Sequence, residues 1–151
     1  MGKLKSPKHS PKLGRPEQGA GKGGSCAQFP AFSFRHLTTQ KDYSLKYCAG
    51  LKANGDKTVT NILHRLVEIG EQDWVHWLLQ RKKNGCETID FCRVRVRPKG
   101  INLVADETVF VFRFLMHTKK DGRILGIKKQ DCPTFFVIGF DFDYSAYDHG
   151  K

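Results

Sequence analysis

Four residues near the end of the chain combine the side-chain types that act on phosphodiesters: Arg113, Arg123, Tyr147 and His149. Histidine titrates near neutrality and can exchange a proton with a ribose hydroxyl or a leaving alkoxide, provided that nearby cations stabilise the charged phosphorane. Tyr147 and His149 stand in a polar tail with Asp141, Asp143, Tyr144 and Asp148, directly after the apolar run 134–140. Arg113 interrupts Val109-Phe110-Val111-Phe112-Arg113-Phe114, where a charge is costly unless it has a partner or faces a cleft. An inward ion pair with Asp141 or Asp143 and a place in a substrate pocket are equally good readings of it. A frayed tail without chemistry is as good a reading of 144–149 as an acid–base site.

A second set suits binding rather than catalysis. In Phe91-Cys92-Arg93-Val94-Arg95-Val96-Arg97 the period is two, so Cys92, Val94 and Val96 point one way and the three arginines the other, about 7 Å apart. Arginines so spaced can each grip a phosphate bidentately, while Glu87, Asp106 and Glu107 are the alternative partners. Lys119 and Lys120, with Arg123, bracket Asp121-Gly122, whose glycine suits the positive φ of a hairpin turn. Solubility alone accounts for the two lysines; phosphate contact is the functional reading. Cys86 and Cys92, taken with His117 or His149, match no usual ligand spacing, so buried thiols are expected and neither a metal nor a cofactor is. The stretch from Gly19 to Ser25 mimics a phosphate loop, but Pro16 stands at the first glycine position and Gly23 where Ser or Thr is needed.

These residues need elements to hold them. Strands are expected at about 108–116, 123–129 and 134–140, close enough in sequence to be antiparallel neighbours, with the arginine ladder as another extended run. Before them, Val59, Ile62, Leu63, Leu66 and Val67 follow a helical stripe, with Asp56 placed as cap and Gly70 as stop. A second helix fits 71–83, with Trp74, Trp77 and Leu78 on one side and Asn84-Gly85 ending it. Tyr43 to Tyr47 is an edge strand or the start of a helix. The expectation is an α+β domain: a helical hairpin packed on a mostly antiparallel sheet.

The chain of 151 residues carries a net charge of +11. Residues 1–28 hold Lys3, Lys5, Lys8, Lys12, Arg15 and Lys22 against Glu17, and with little apolar content they read as a disordered basic tail, leaving 29–151 as one domain. Ser6-Pro7-Lys8, Ser10-Pro11-Lys12 and Gly14-Arg15-Pro16 are similar to minor-groove hooks, though a generic solvated or vector-like tail is the simpler reading. A basic body favours a polyanionic partner. The odd cysteine count without a CxxC pair, the lack of a secretion signal and of any run of membrane-spanning length point to a reducing, cytoplasmic setting and no membrane.

The helical hairpin, the arginine-bearing sheet and the closing Phe135-Phe136-Val137-Ile138-Gly139-Phe140 followed by Tyr144-x-x-Tyr147-Asp148-His149 resemble the RelE/HigB/YoeB group of bacterial mRNA-cleaving toxins. Phe29 to Phe34 with His36, Trp74 to Trp77, and Tyr147 to Gly150 are also similar to small proteins of bacterial mobile elements. The toxin resemblance spans about residues 43–149. It implies a metal-independent endoribonuclease acting on RNA, including ribosome-bound mRNA, and a cognate antitoxin protein as partner. Carried over position by position, it implies Arg113 and Arg123 for transition-state charge and Tyr147 with His149 as acid and base. The alternatives are a nucleic-acid-binding module without catalysis, such as a phage or plasmid regulator, and a protein-interaction module working through Trp74, Trp77 and the Phe-rich strands.

Overall fold

A computed structural model describes residues 28–80 and 84–149. The expected tail, except Gln28, and Arg81, Lys82 and Lys83 lie outside the described residues. Among the described residues five strands form one sheet: β1 (Ala31–Ser33), β2 (Cys86–Asp90), β3 (Thr108–Leu115), β4 (Asp121–Lys128) and β5 (Thr134–Asp141). Their order is β1-β5-β4-β3-β2, antiparallel throughout except that β1 lies parallel to β5. Among the described residues three α-helices precede β2: α1 (Lys46–Ala49), α2 (Ala53–Gly70) and α3 (Trp74–Leu79). The fold is α+β. No helix among the described residues is long and apolar enough to cross a membrane.

Alternation along the strands gives the sheet two apolar faces. One carries Phe112, Phe114, Ile124 and Phe135 and packs against Ile62, Leu66, Ile69 and the two tryptophans of the helices. The other carries Val109, Val111, Leu125 and Ile138 and is covered by Val94 and Val96 and by Ala146 and Tyr147. The helices therefore sit on one side and extended chain on the other. Trp74 and Trp77 are buried, their indole N–H groups donating to the Pro133 and Ile69 carbonyls at 2.8 Å each. Both tryptophans are therefore core residues and offer no surface to the protein-interaction alternative.

Five local expectations are corrected. The inward stripe of α2 is Gly55, Thr58, Ile62, Leu66 and Ile69, while Leu63 and Val67 are 57% and 61% exposed. The helix is rotated because Gly55 sits so close to α1 that a β-carbon there would overlap the Cys48 carbonyl. It also begins three residues before Asp56, after Lys52 at φ 53°. The second helix is shorter than expected, capped by Asp73, whose carboxylate accepts from the His76 N–H at 2.7 Å.

Asp121-Gly122 is not the turn but the start of β4, paired with Leu115 and Phe114. The chain reverses over 117–120, with Lys119 taking the positive φ of 62°. Gly122 is needed instead for space, since a β-carbon there would overlap the Phe114 ring. Finally, Phe91–Arg93 is a turn of 3-10 helix rather than strand, which leaves Cys92 exposed. Tyr43 to Tyr47 follows the helical alternative, running from the 3-10 turn Lys41–Tyr43 into α1.

Candidate functional site

Register brings the distant charges together. Arg113 pairs with Arg123 across β3 and β4, and Arg123 pairs with Asp141 across β4 and β5, so the three form a row on the face opposite the helices. Beyond Asp141 the chain turns back over that row. The buried Asp141 carboxylate makes the turn: its Oδ1 accepts the backbone N–H of Asp143 at 3.4 Å and of Ser145 at 3.0 Å. Between these anchors Tyr144 stands at φ 65°, a region costly for a side-chain-bearing residue. The returning strand bridges Val94 through Tyr147, and the Arg95 N–H donates to the Ala146 carbonyl at 2.7 Å.

The result is a layered polar cluster. The Arg123 guanidinium, 5% exposed as a residue, lies 4.3 Å from the centre of the Tyr144 ring and 5.9 Å from that of Tyr147. His149 places Nε2 3.5 Å from Asp141 Oδ2, and its ring centre is 4.1 Å from that of Tyr147 and 5.3 Å from that of Tyr144. Arg123 Nε and Nη1 and Asp141 Oδ2 are buried without a hydrogen bond. Burial pushes the Asp141 carboxyl up, opposed by the backbone N–H groups of Ala146, Ser145 and Asp143 and by Arg123. Burial likewise pushes the Tyr147 phenol up to about 12, with Arg123 beside it acting the other way. Tyr147 therefore keeps its proton at physiological pH and is not a phenolate base. A partly exposed imidazole backed by a buried carboxylate and a buried guanidinium is suited to proton transfer beside developing negative charge.

Arg93 and Arg95 flank this tail. Arg93 Nη2 donates to the Asp148 carbonyl at 3.3 Å, and all three ladder arginines are exposed while Val94 and Val96 are buried. Arg97 turns away, donating to the Val94 carbonyl at 2.8 Å and lying 5.8 Å from the Phe91 ring centre. The Glu87, Asp106 and Glu107 pairing considered for the ladder is not among these contacts. Lys119 and Lys120 are exposed in the β3–β4 turn, at the same end of the sheet as Arg123.

Arg113 reaches neither Asp141 nor Asp143; its Nη1 lies 3.5 Å from Asp121 Oδ2. It lines a separate cleft of about 380 Å³ with Asn61, Arg65, Glu68, Asn84 and Asp121. There β3 outruns β2, and side chains from α2 replace the missing strand: Arg65 Nε donates to the Arg113 carbonyl at 2.8 Å and Asn61 Nδ2 to that of Leu115 at 2.9 Å.

Sequence reasoning missed the partnership of Asp141 with His149 and the stacking of Tyr144 on Arg123. The spacing Asp141-x-Asp143-x-Ser145 was the available signal, because short polar side chains at that interval bind the backbone two to four residues on. Among the described residues no group of three or more His, Cys, Asp or Glu is placed to hold a metal ion. Comparison with protein-family models, with curated proteins and with solved structures gives no match.

Proposed function

We propose that this chain is an RNA-directed protein that cleaves phosphodiester bonds with its own side chains, in the manner its resemblance to the RelE/HigB/YoeB toxins implies. The observation that carries the reading is His149, exposed and backed by the buried Asp141 carboxylate directly beside Arg123. His149 takes the proton of a ribose 2′-hydroxyl, whose oxygen attacks the adjacent phosphorus. Tyr147, which keeps its proton, is the acid for the departing 5′-oxygen, leaving a cyclic phosphate and a free 5′-hydroxyl. Arg123 offsets the phosphorane charge from beneath, Arg93 and Arg95 hold flanking phosphates, and Lys119 and Lys120 extend the basic end. In this reading Arg113 serves the neighbouring cleft. The substrate is RNA, with ribosome-bound mRNA and a cognate antitoxin as the partners that the resemblance implies, in the cytoplasm.

Induced expression in bacteria tests it. Growth arrest with fragmented RNA is expected, relieved by His149→Ala; unarrested growth with intact RNA overturns the catalytic reading. One observation favours a second reading, a nucleic-acid-binding module without catalysis: Arg123 and Tyr147 are 5% and 3% exposed, which suits a structural stack better than direct substrate contact. RNA binding by the purified protein without any cleavage, whether ribosomes are present or absent, selects it.

A further inference from the structure

Tyr144 is the one aromatic side chain among the described residues held at a positive φ. It is 43% exposed, although Tyr147 three residues on is buried, and it takes a positive φ that a non-glycine residue adopts only at a cost. The backbone N–H groups on either side of it, those of Asp143 and Ser145, are both fastened to Asp141 Oδ1, and the Ser145 N–H also reaches Asp143 Oδ1 at 3.2 Å. The Arg123 guanidinium backs the ring, and His149 meets it nearly edge-on, at an interplanar angle of 66°. The ring is thus held rigidly outward with area left open to solvent. Arg93 and Arg95 stand exposed on the segment that pairs with this tail.

We infer that Tyr144 is a stacking platform for one unpaired base of a single-stranded nucleic acid whose backbone runs along Arg93 and Arg95. The inference deepens the nucleic-acid reading above and rests on it. An aromatic ring whose orientation is fixed in advance loses little entropy when a base stacks on it, and every base offers a π-face. The Asp143 carboxylate, engaged with Ser145 beside the ring, disfavours phosphate on its own side and leaves the arginine side for the backbone. A duplex keeps its bases stacked within and offers nothing to such a ring, so single strands are the preferred class.

The test uses fluorescence anisotropy of short labelled oligonucleotides with the full chain: single-stranded RNA, single-stranded DNA of the same sequence, and RNA duplex. The informative variant is Tyr144→Gly, because glycine adopts φ 65° without strain and the fold should survive. It should bind single strands roughly tenfold or more weakly, with duplex binding not weakened, and Tyr144→Phe should stay close to wild type. Uncovering Arg123 would strengthen phosphate contacts, so a loss of affinity reports the ring and not the charge. Equal loss on both single strands supports a platform indifferent to sugar; loss confined to RNA supports a platform whose flanking contacts need the 2′-hydroxyl. Single-strand binding by Tyr144→Gly equal to wild type overturns the platform and leaves the nucleic-acid reading standing. Wild-type protein that binds none of the three overturns that reading and the platform with it.

Discussion

Asp141 is the residue on which the candidate site turns, since one carboxylate shapes the tail through Oδ1 and faces His149 through Oδ2. Burial raises its folded-state pKa above the unfolded value, so the folded state binds this proton more readily than the unfolded chain does. Asp141 thus opposes folding increasingly as pH rises from the unfolded carboxyl value, about 3.9, through its raised folded value, and fully above that. Arg123 narrows this interval by favouring the carboxylate. Arg123→Met should destabilise by on the order of 1 kcal/mol at pH 8, because it removes a cation that favours the buried Asp141 carboxylate. The cost should shrink at pH 5, where the carboxyl takes up a proton more readily. Urea denaturation at the two pH values measures this, and an equal cost at both would show that Arg123 stabilises through its tyrosine contacts alone.

Among the elements, the β3–β4 hairpin depends on a glycine whose role is spatial. Gly122→Ala should destabilise by about 1–3 kcal/mol through overpacking against Phe114. Phe114→Leu should recover part of that loss in the double variant, so a double-mutant cycle that adds without coupling would refute the explanation. The same hairpin shows what could be read from the chain. Three antiparallel strands were legible because Val109 to Phe114 and Phe135 to Phe140 are long apolar runs, and the main helix because Ile62 and Leu66 keep its period. The first strand was not: three residues beside Pro30 have no measurable period, and pairing with the distant β5 decides their state. The direction of the α2 stripe was hidden for a similar reason, since it follows from the approach of Gly55 to α1 and not from apolarity. At the site, the neighbourhood of Arg123 with Tyr144 and Tyr147 was legible from the order of the strands. The partner of Arg113 was not, because Asp121, assigned to the turn, proved to be the first residue of β4.

For the molecule as a whole, the charge of +11 divides into +5 on residues 1–28 and +6 on the rest. If nucleic acid is the partner, each phosphate contact steepens the fall of affinity with salt by roughly one unit of log–log slope. Deleting residues 1–27 should therefore flatten that slope, and so, independently, should changing Arg93 and Arg95 together to Ala. A slope unchanged by the arginine pair would assign those residues to covering the sheet rather than to binding. The placement of β1 has a consequence of another kind. This short early strand docks beside β5, the last strand in sequence among the described residues. Until Phe135 has been made, Phe32 has no partner ring to pack against. Such a contact between remote segments closes a long loop and slows folding. The sheet is therefore completed only after synthesis has passed Asp141. Until then the chain lacks the pairing of Arg123 with Asp141, and any activity that needs Arg123, Asp141 and His149 together waits for that pairing.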